Sequence, residues 1–490
     1  MNLLVVTGKL ASNTVKASIR NKADVLVLDI EVAAFTTPAL LGRSLLSPKK
    51  YDLILVPGLA TGDYSGLEKE LGIPIRLGPK HAVDLGFILE LSDKFDFSSR
   101  VPACELLIEK KRYNAFHRVN ELEKNADAPL TLRKVKIGGN SRMKIMAEIV
   151  DAGSMNESEL TNRIIYFIEC GADIIDLGIS LDTSRSEVRT AVETARSITN
   201  APLSIDTLDP ESINAAIEAG IDIVLSLNSK NIPLVDLSMD TAAVIIPDRT
   251  DDLESLFKNM ESARILGIKN IIADPVLEPA GHGLTKSINR YYEFRQSDST
   301  TPLFFGVGNV TELIDADSIG IHSILSSIAM ELDAGILFTP EFSHKAHDSV
   351  NELKTASTMM MLTKDRKSAP KDLGVDMLVM KEKRRREFGS MPGSCIEAKG
   401  SEKWHLDPAG CFKIEITGDE IRNGKLFPGK IVARNNNNSI AGSTARDILD
   451  TIIEHGQISR LDHAAYLGRE LMKAEIALRI KRSYSQDDKF

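Results

Sequence analysis

The side chains of this chain best suited to chemistry are acidic and amide residues that close apolar runs. They recur through the middle of the sequence: Glu148 and Asp151, Asp176, Asp206, Asn228, Asp248, Asp274, Asn309 and Glu341. Glu278, His282 and Lys286 follow Asp274 closely. A buried carboxylate needs donors or a cation to be tolerated. Such a set points to a flat heterocycle presenting N–H donors, to a divalent metal, or to a cationic sugar or amine. An amino-pyrimidinone edge offers adjacent donors in one plane, which one carboxylate can accept while an Asn donates and accepts beside it. The competing reading is local: an Asp at a strand end often caps the next helix. Asp209, directly before Pro210, is expected to do only that.

The elements that must position these residues are short apolar runs, most with β-branched residues, at 144–151, 173–179, 203–207, 221–227, 243–248, 270–276, 303–307 and 335–339. Runs this apolar read as strands buried on both faces. Helical spacing fills 157–170, 187–198, 210–219, 251–266, 287–294 and 319–332, with Ser154 and Asp209-Pro210 as predicted helix starts. Eight such units in succession predict a (β/α)8 TIM barrel, whose ligand site lies at the carboxyl ends of its strands. Glu341, His344 and His347 would share a face, and suit a metal, if the segment after the last strand is helical; an exposed surface is the plainer alternative. Met359, Met360 and Met361 read as helical core.

The flanks differ in texture. Residues 1–135 alternate strand-like runs at 3–6, 25–30 and 53–56 with helical patterns at 11–19 and 38–46. This predicts a Rossmann-like three-layer α/β domain, with no Gly-rich nucleotide motif, read as an assembly or lid domain. The barrel is assigned to 136–370 and a small C-terminal α+β domain to 371–490. There a strand is expected at 375–380, running into the basic stretch 381–387, with further strands at 412–416 and 430–433 and helices at 444–455 and 461–480. The basic stretch reads as a solvated face. Trp404 and His405 read as turn and packing residues. With 60 Lys+Arg against 69 Asp+Glu the net charge is -9, which argues against nucleic-acid or anionic-membrane partners. No apolar run approaches a membrane span. Four scattered cysteines make neither a disulfide framework nor a zinc site, so we expect a reducing cytoplasm.

Three segments then carry a resemblance. Gly171-Ala172-Asp173-Ile174-Ile175-Asp176-Leu177-Gly178, Pro202-Leu203-Ser204-Ile205-Asp206-Thr207 and Glu218-Ala219-Gly220-Ile221-Asp222-Ile223-Val224 resemble the pterin-binding barrel of dihydropteroate synthases. Asp274-Pro275 and Gly281-His282-Gly283-Leu284-Thr285-Lys286 are similar to that family's strand-six Asp and Gly-rich loop. The three-part layout resembles the archaeal dihydropteroate synthase-related proteins, linked with folate or tetrahydromethanopterin biosynthesis. The resemblance implies a transferase that joins a dihydropterin methyl diphosphate to an arylamine. It places Asp206, Asn228 and Asp274 on the pterin ring, with Asp176 and Asn309 among the lining residues. Lys286 and Asp206 become the catalytic candidates. Glu148 falls near the family's magnesium ligand, so Mg2+ is the metal implied. A homodimer is expected.

Two departures limit the analogy. Gly306-Val307-Gly308-Asn309-Val310 stands where the synthases carry Ser-Arg-Lys, and Phe338-Thr339-Pro340-Glu341 where they carry Arg-x-His. Both missing elements are cationic, and a departing diphosphate needs positive charge. The remaining candidates are Lys286, Arg142, Arg249, His344 and Lys345. Gly306-Val307-Gly308-Asn309 instead resembles the Gly-x-x-Asn segment of pterin-dependent methyltransferases, which need no anion clamp. A pterin-binding protein without catalysis is the third reading.

Overall fold

The computed structural model describes every residue except 1, 46–49, 91–95, 237–239, 381–392, 401–404, 437 and 489–490. The chain divides into two compact units, residues 1–118 with 372–375, and the remainder.

In the first unit, apolar runs make a four-stranded parallel sheet, ordered β2-β1-β3-β4: β1 (Leu3–Thr7), β2 (Asp24–Val27), β3 (Leu53–Val56) and β4 (Ile75–Leu77). Alternate residues leave opposite faces of a strand. Leu4 and Val6 pack with Leu41, at the heart of α2 (Pro38–Ser44), and near α3 (Ser65–Leu71). Leu3 and Val5 pack with Val15 and Ile19 of α1 (Ser12–Ile19) and with Leu85 and Leu89 of α4 (Leu85–Glu90). The sheet is thus covered on both faces, in three layers. β4 was not anticipated: a three-residue strand carries too little periodicity to stand out. The long α5 (Ala103–Asn125) follows.

The second unit holds a closed barrel of eight parallel strands. They are β7 (Lys144–Ile149), β8 (Ile174–Gly178), β9 (Leu203–Asp206), β10 (Ile223–Leu227), β11 (Ala242–Ile245), β12 (Asn270–Ala273), β13 (Leu303–Phe305) and β14 (Ala334–Thr339). All eight lie within one or two residues of the predicted runs, except that several stop earlier at the carboxyl end. Helices α6 (Glu157–Cys170), α7 (Arg185–Ile198), α8 (Pro210–Glu218), α9 (Leu253–Ile265), α10 (Leu284–Ser297), the short α11 (Gly308–Thr311), α12 (Ser318–Glu331) and α13 (Ser349–Arg366) surround it. Asp209 caps α8 as expected. Ser154 does not cap α6: Asn156 does, in a reciprocal capping box with Glu159.

The barrel interior is filled by Met146, Ile174, Ile223, Leu225, Val244, Ile272, Phe304 and Ile336. Leu130, Leu132 and Ile137 join the same core from a two-stranded hairpin, β5 (Leu130–Leu132) and β6 (Val135–Ile137), that plugs it. Beside the amino end of β7, Arg142 makes a bidentate pair with Asp173 and Lys144 pairs with Glu123.

The C-terminal region has an antiparallel sheet of β15 (Lys413–Ile416), β18 (Ile431–Arg434) and β19 (Ser439–Gly442), and a hairpin of β16 (Glu420–Arg422) with β17 (Lys425–Phe427). Two helices, α14 (Ala445–Glu454) and α15 (Leu461–Arg479), pack on the sheet through Ile448, Ile452, Leu467 and Leu471. Asp407 ties the entry to α15 by accepting from Ser459, Arg460 and His463. The strand expected at 375–380 does not form. The basic stretch at 381–387 and Trp404 lie outside the described residues. Among the described residues no helix is long and apolar enough to cross a membrane.

Candidate functional site at the barrel mouth

Parallel pairing sets the predicted acids side by side. Glu148 on β7 is in register with Asp176 on β8, Asp176 with Ser204 on β9, and Gly178 with Asp206. These positions continue the inward alternation of Met146, Ile174 and Ser204, so their side chains point into the barrel above its apolar core. Carboxylate oxygens of Glu148, Asp176 and Asp206 lie within 4.8 Å of one another. Gly178 makes room for this: a Cβ there would sit 2.6 Å from Glu148 Oε1.

Burial and mutual repulsion both favour the protonated acids. Glu148 is pushed up to about 7, by burial first and then by Asp206, Asp151 and Glu312. Asp206 is pushed up to about 6 by burial and by Asp274. Asp176, fully buried, is raised well above the usual range by burial and then by Asp206 and Glu148. The Ser204 hydroxyl donates to Asp176 Oδ1 and partly offsets the shift, while Asp176 Oδ2 is buried without a hydrogen-bond partner. Among the described residues no Lys or Arg pairs with these three acids.

Asp274 follows β12 directly. Its Oδ1 accepts from the Tyr291 hydroxyl at 2.6 Å and from the Val276 amide at 2.7 Å. Burial raises it to about 6, against those two donors and Arg290. The turn behind it is tight: Val276 has φ +65°, an unusual region for a β-branched residue. Arg290 secures that turn by donating to Pro275 O and Val276 O and by pairing with Glu278.

The other predicted residues have partners of their own or are exposed. Asn228 follows β10, and its Oδ1 accepts from the Lys230 amide. Asn309, in α11, is exposed and donates its amide to Leu277 O at 2.8 Å. Lys286 is exposed in the first turn of α10. Asp151 accepts from Ser180, and Asp248 from Ser229 and Asn259, so both close loops. Arg142 is committed to Asp173, Arg249 to Asp251 and Lys345 to Asp315.

Glu341 does not start a helix with His344 and His347; α13 begins only at Ser349. Glu341 instead turns inward with φ +43° and accepts from the Tyr166 hydroxyl and the Val350 amide, with His347 Nδ1 at 3.4 Å. That contact raises the His347 pKa.

The comparisons with known proteins add the following. A relative from Methanocaldococcus jannaschii, described as uncharacterized protein MJ0107, is 37% identical over 99% of this chain and 98% of its own length. The chain belongs to that protein's family. Residues 406–487 match a family model described as PterinBD-DUF4346, and residues 1–80 one described as a family of unknown function (DUF6513). The chain is also similar to a solved Yersinia pestis DHPS with a pterine-sulfa conjugate, at 17% identity and TM-score 0.39, covering 48% of this chain and 99% of that one. A Xanthomonas albilineans dihydropteroate synthase in complex with 7,8-dihydropteroate is similar at 20% identity and TM-score 0.36, over 46% and 94%.

The implied Mg2+ can be tested against the residues present. Hard divalent cations take carboxylate oxygens. Three such groups within 4.8 Å, one with a buried and unpartnered oxygen, fit that requirement. Sequence reasoning found Glu148 but did not join it to Asp176 and Asp206. It also missed Ser204 and Tyr291. The first was legible, since Ser204 lies two positions before Asp206 on one strand and must share its face. Tyr291 reaches Asp274 from a separate helix and left no local signal.

Proposed function

We propose that this protein holds a reduced pterin at the barrel mouth and joins a dihydropterin methyl diphosphate to an arylamine, in the biosynthesis of a folate- or tetrahydromethanopterin-type cofactor. The observation carrying this reading is the pair Asp206 and Asp274. Both are desolvated and act on each other, neither forms a salt bridge among the described residues, and Asp274 is pinned through one oxygen only. Such carboxylates call for in-plane N–H donors, which an amino-pyrimidinone supplies. A family model whose description includes PterinBD matches residues 406–487, in the C-terminal region rather than at the mouth.

In this reading Asp206 and Asp274 accept the ring's N–H groups, and Asp176, Asn228 and Asn309 complete the lining. Tyr291 and the Val276 amide orient the Asp274 carboxylate. Lys286 offers the charge that meets the leaving diphosphate. Glu148, Asp176 and Asp206 are the residues that would hold Mg2+. When bound, that ion supplies charge neutralisation and Lewis-acid polarisation.

The test is release of diphosphate from a dihydropterin diphosphate supplied with an arylamine and Mg2+. Asp274→Ala should weaken dihydropterin binding by about 1–3 kcal/mol, roughly five- to 150-fold, because ligand donors lose their acceptor. Unchanged affinity would remove the site assignment. The methyltransferase reading draws on Asn309, whose amide Leu277 O holds in place beside the turn after β13. It prevails if no arylamine elicits diphosphate release while a methylpterin binds tightly. Pterin binding without turnover leaves a non-catalytic pterin-binding protein.

A further inference from the structure

A cavity of about 350 Å³ opens between the carboxyl ends of β7 and β14. The chain reaches it one residue beyond Glu148, at Ile149, yet its character is the opposite of the acidic mouth. Arg163, His344 and His347 line it. Arg163 has no carboxylate partner among the described residues. Its Nη2 donates to the Glu341 carbonyl at 2.9 Å, and its guanidinium lies 4.2 Å from the centre of the Phe167 ring. Those contacts hold the planar group in place and leave further N–H donors to spend. The acid in the lining, Glu341, is buried and already accepts from Tyr166 and Val350. Ser343 lines the cavity too, and its hydroxyl is buried without a partner. Met155 and Phe342 supply an apolar wall, with Phe342 73% exposed.

We propose that this cavity binds the oxyanion group, carboxylate or phosphate, of a second ligand whose apolar body rests on Met155 and Phe342. A fixed guanidinium and two imidazoles around one cavity make a donor set suited to oxyanion oxygens, with the buried Ser343 hydroxyl behind them. Of the five cations suggested by sequence, His344 is the one that lines this cavity. Its companions, Arg163 on α6 and His347 before α13, come from elsewhere in the fold. This deepens the transferase reading by giving its second reactant a place and an oxyanion group, and rests on that reading for which reactant it is.

The test is calorimetric titration of the full chain with inorganic phosphate and, separately, with benzoate, no pterin being present. Saturable one-to-one binding of either is expected, and the tighter probe names the anion. Arg163→Gln should weaken it at least about tenfold through loss of charge-assisted hydrogen bonds. His344→Glu should do the same at an exposed position that leaves the fold intact, judged by an unchanged melting temperature. Absence of saturable binding by both anions, or equal affinity in well-folded His344→Glu, overturns the proposal. Dihydropterin affinity, measured on the same variants, should not change. Failure of pterin binding with anion binding kept would instead sink the pterin reading alone.

Discussion

Asp274 shows how one side chain acquires a role that its type alone does not assign. Its Oδ1 accepts from Tyr291 and Val276, so one oxygen is oriented by the protein and the other is the one the proposed pterin would meet. Tyr291→Phe removes one of those donors. We expect dihydropterin affinity to fall about three- to tenfold in fluorescence titration, less than for Asp274→Ala, because the Val276 amide still orients the group. An effect as large as that of Asp274→Ala would mean that Tyr291 touches the ligand directly. Asp248, by contrast, looks equivalent in sequence but is exposed, with its Oδ1 accepting from Ser229 and Asn259.

The elements have their own dependencies. α6 carries Arg163 and Tyr166 toward the segment after β14 and is launched by the Asn156–Glu159 capping box. Asn156→Ala should cost about 1 kcal/mol in urea unfolding. A loss below the error of the measurement would show that packing alone sets where α6 starts. The β5–β6 hairpin closes the barrel core with Leu130, Leu132 and Ile137. Leu132→Ala should cost about 2–5 kcal/mol, since it opens a void against Met146, Ile174 and their neighbours. A neutral result would show the barrel to be stable without its plug.

Across the whole molecule, the acids at the mouth link stability to pH. Glu148 rises from 4.5 to about 7, and Asp206 and Asp274 from 3.8 to about 6. Folded groups with raised pKa bind more protons than the unfolded chain between these values. Their contribution is therefore full below pH ~4 and is lost as pH rises through about 6 to 7. In EDTA, urea unfolding should show stability falling by on the order of a few kcal/mol across that window, apart from other titrating groups. Mg2+ should restore part of the loss at pH 8 and little at pH 5, because it binds the folded carboxylates only once their protons are gone. Mg2+ without effect at pH 8 would argue that these acids keep protons rather than a metal.

What could be read from the chain was whatever repeats locally. Eight apolar runs and the helices between them are written in hydrophobic periodicity, so the barrel was legible. The strand-end position of Glu148, Asp176, Asp206 and Asp274 was legible for the same reason, because a barrel places its strand ends on one face. Short elements such as β4, β5 and β6 were not, since three residues hold no period. The expected strand at 375–380 failed because an apolar run alone does not supply a pairing partner. Everything that depends on residues distant in sequence meeting in space waited for the tertiary structure. Register put Glu148 beside Asp176, Tyr291 arrived at Asp274 from α10, and Arg163 and His347 joined His344 around one cavity. Such meetings are fixed by strand pairing and helix packing, which join positions that local pattern cannot relate.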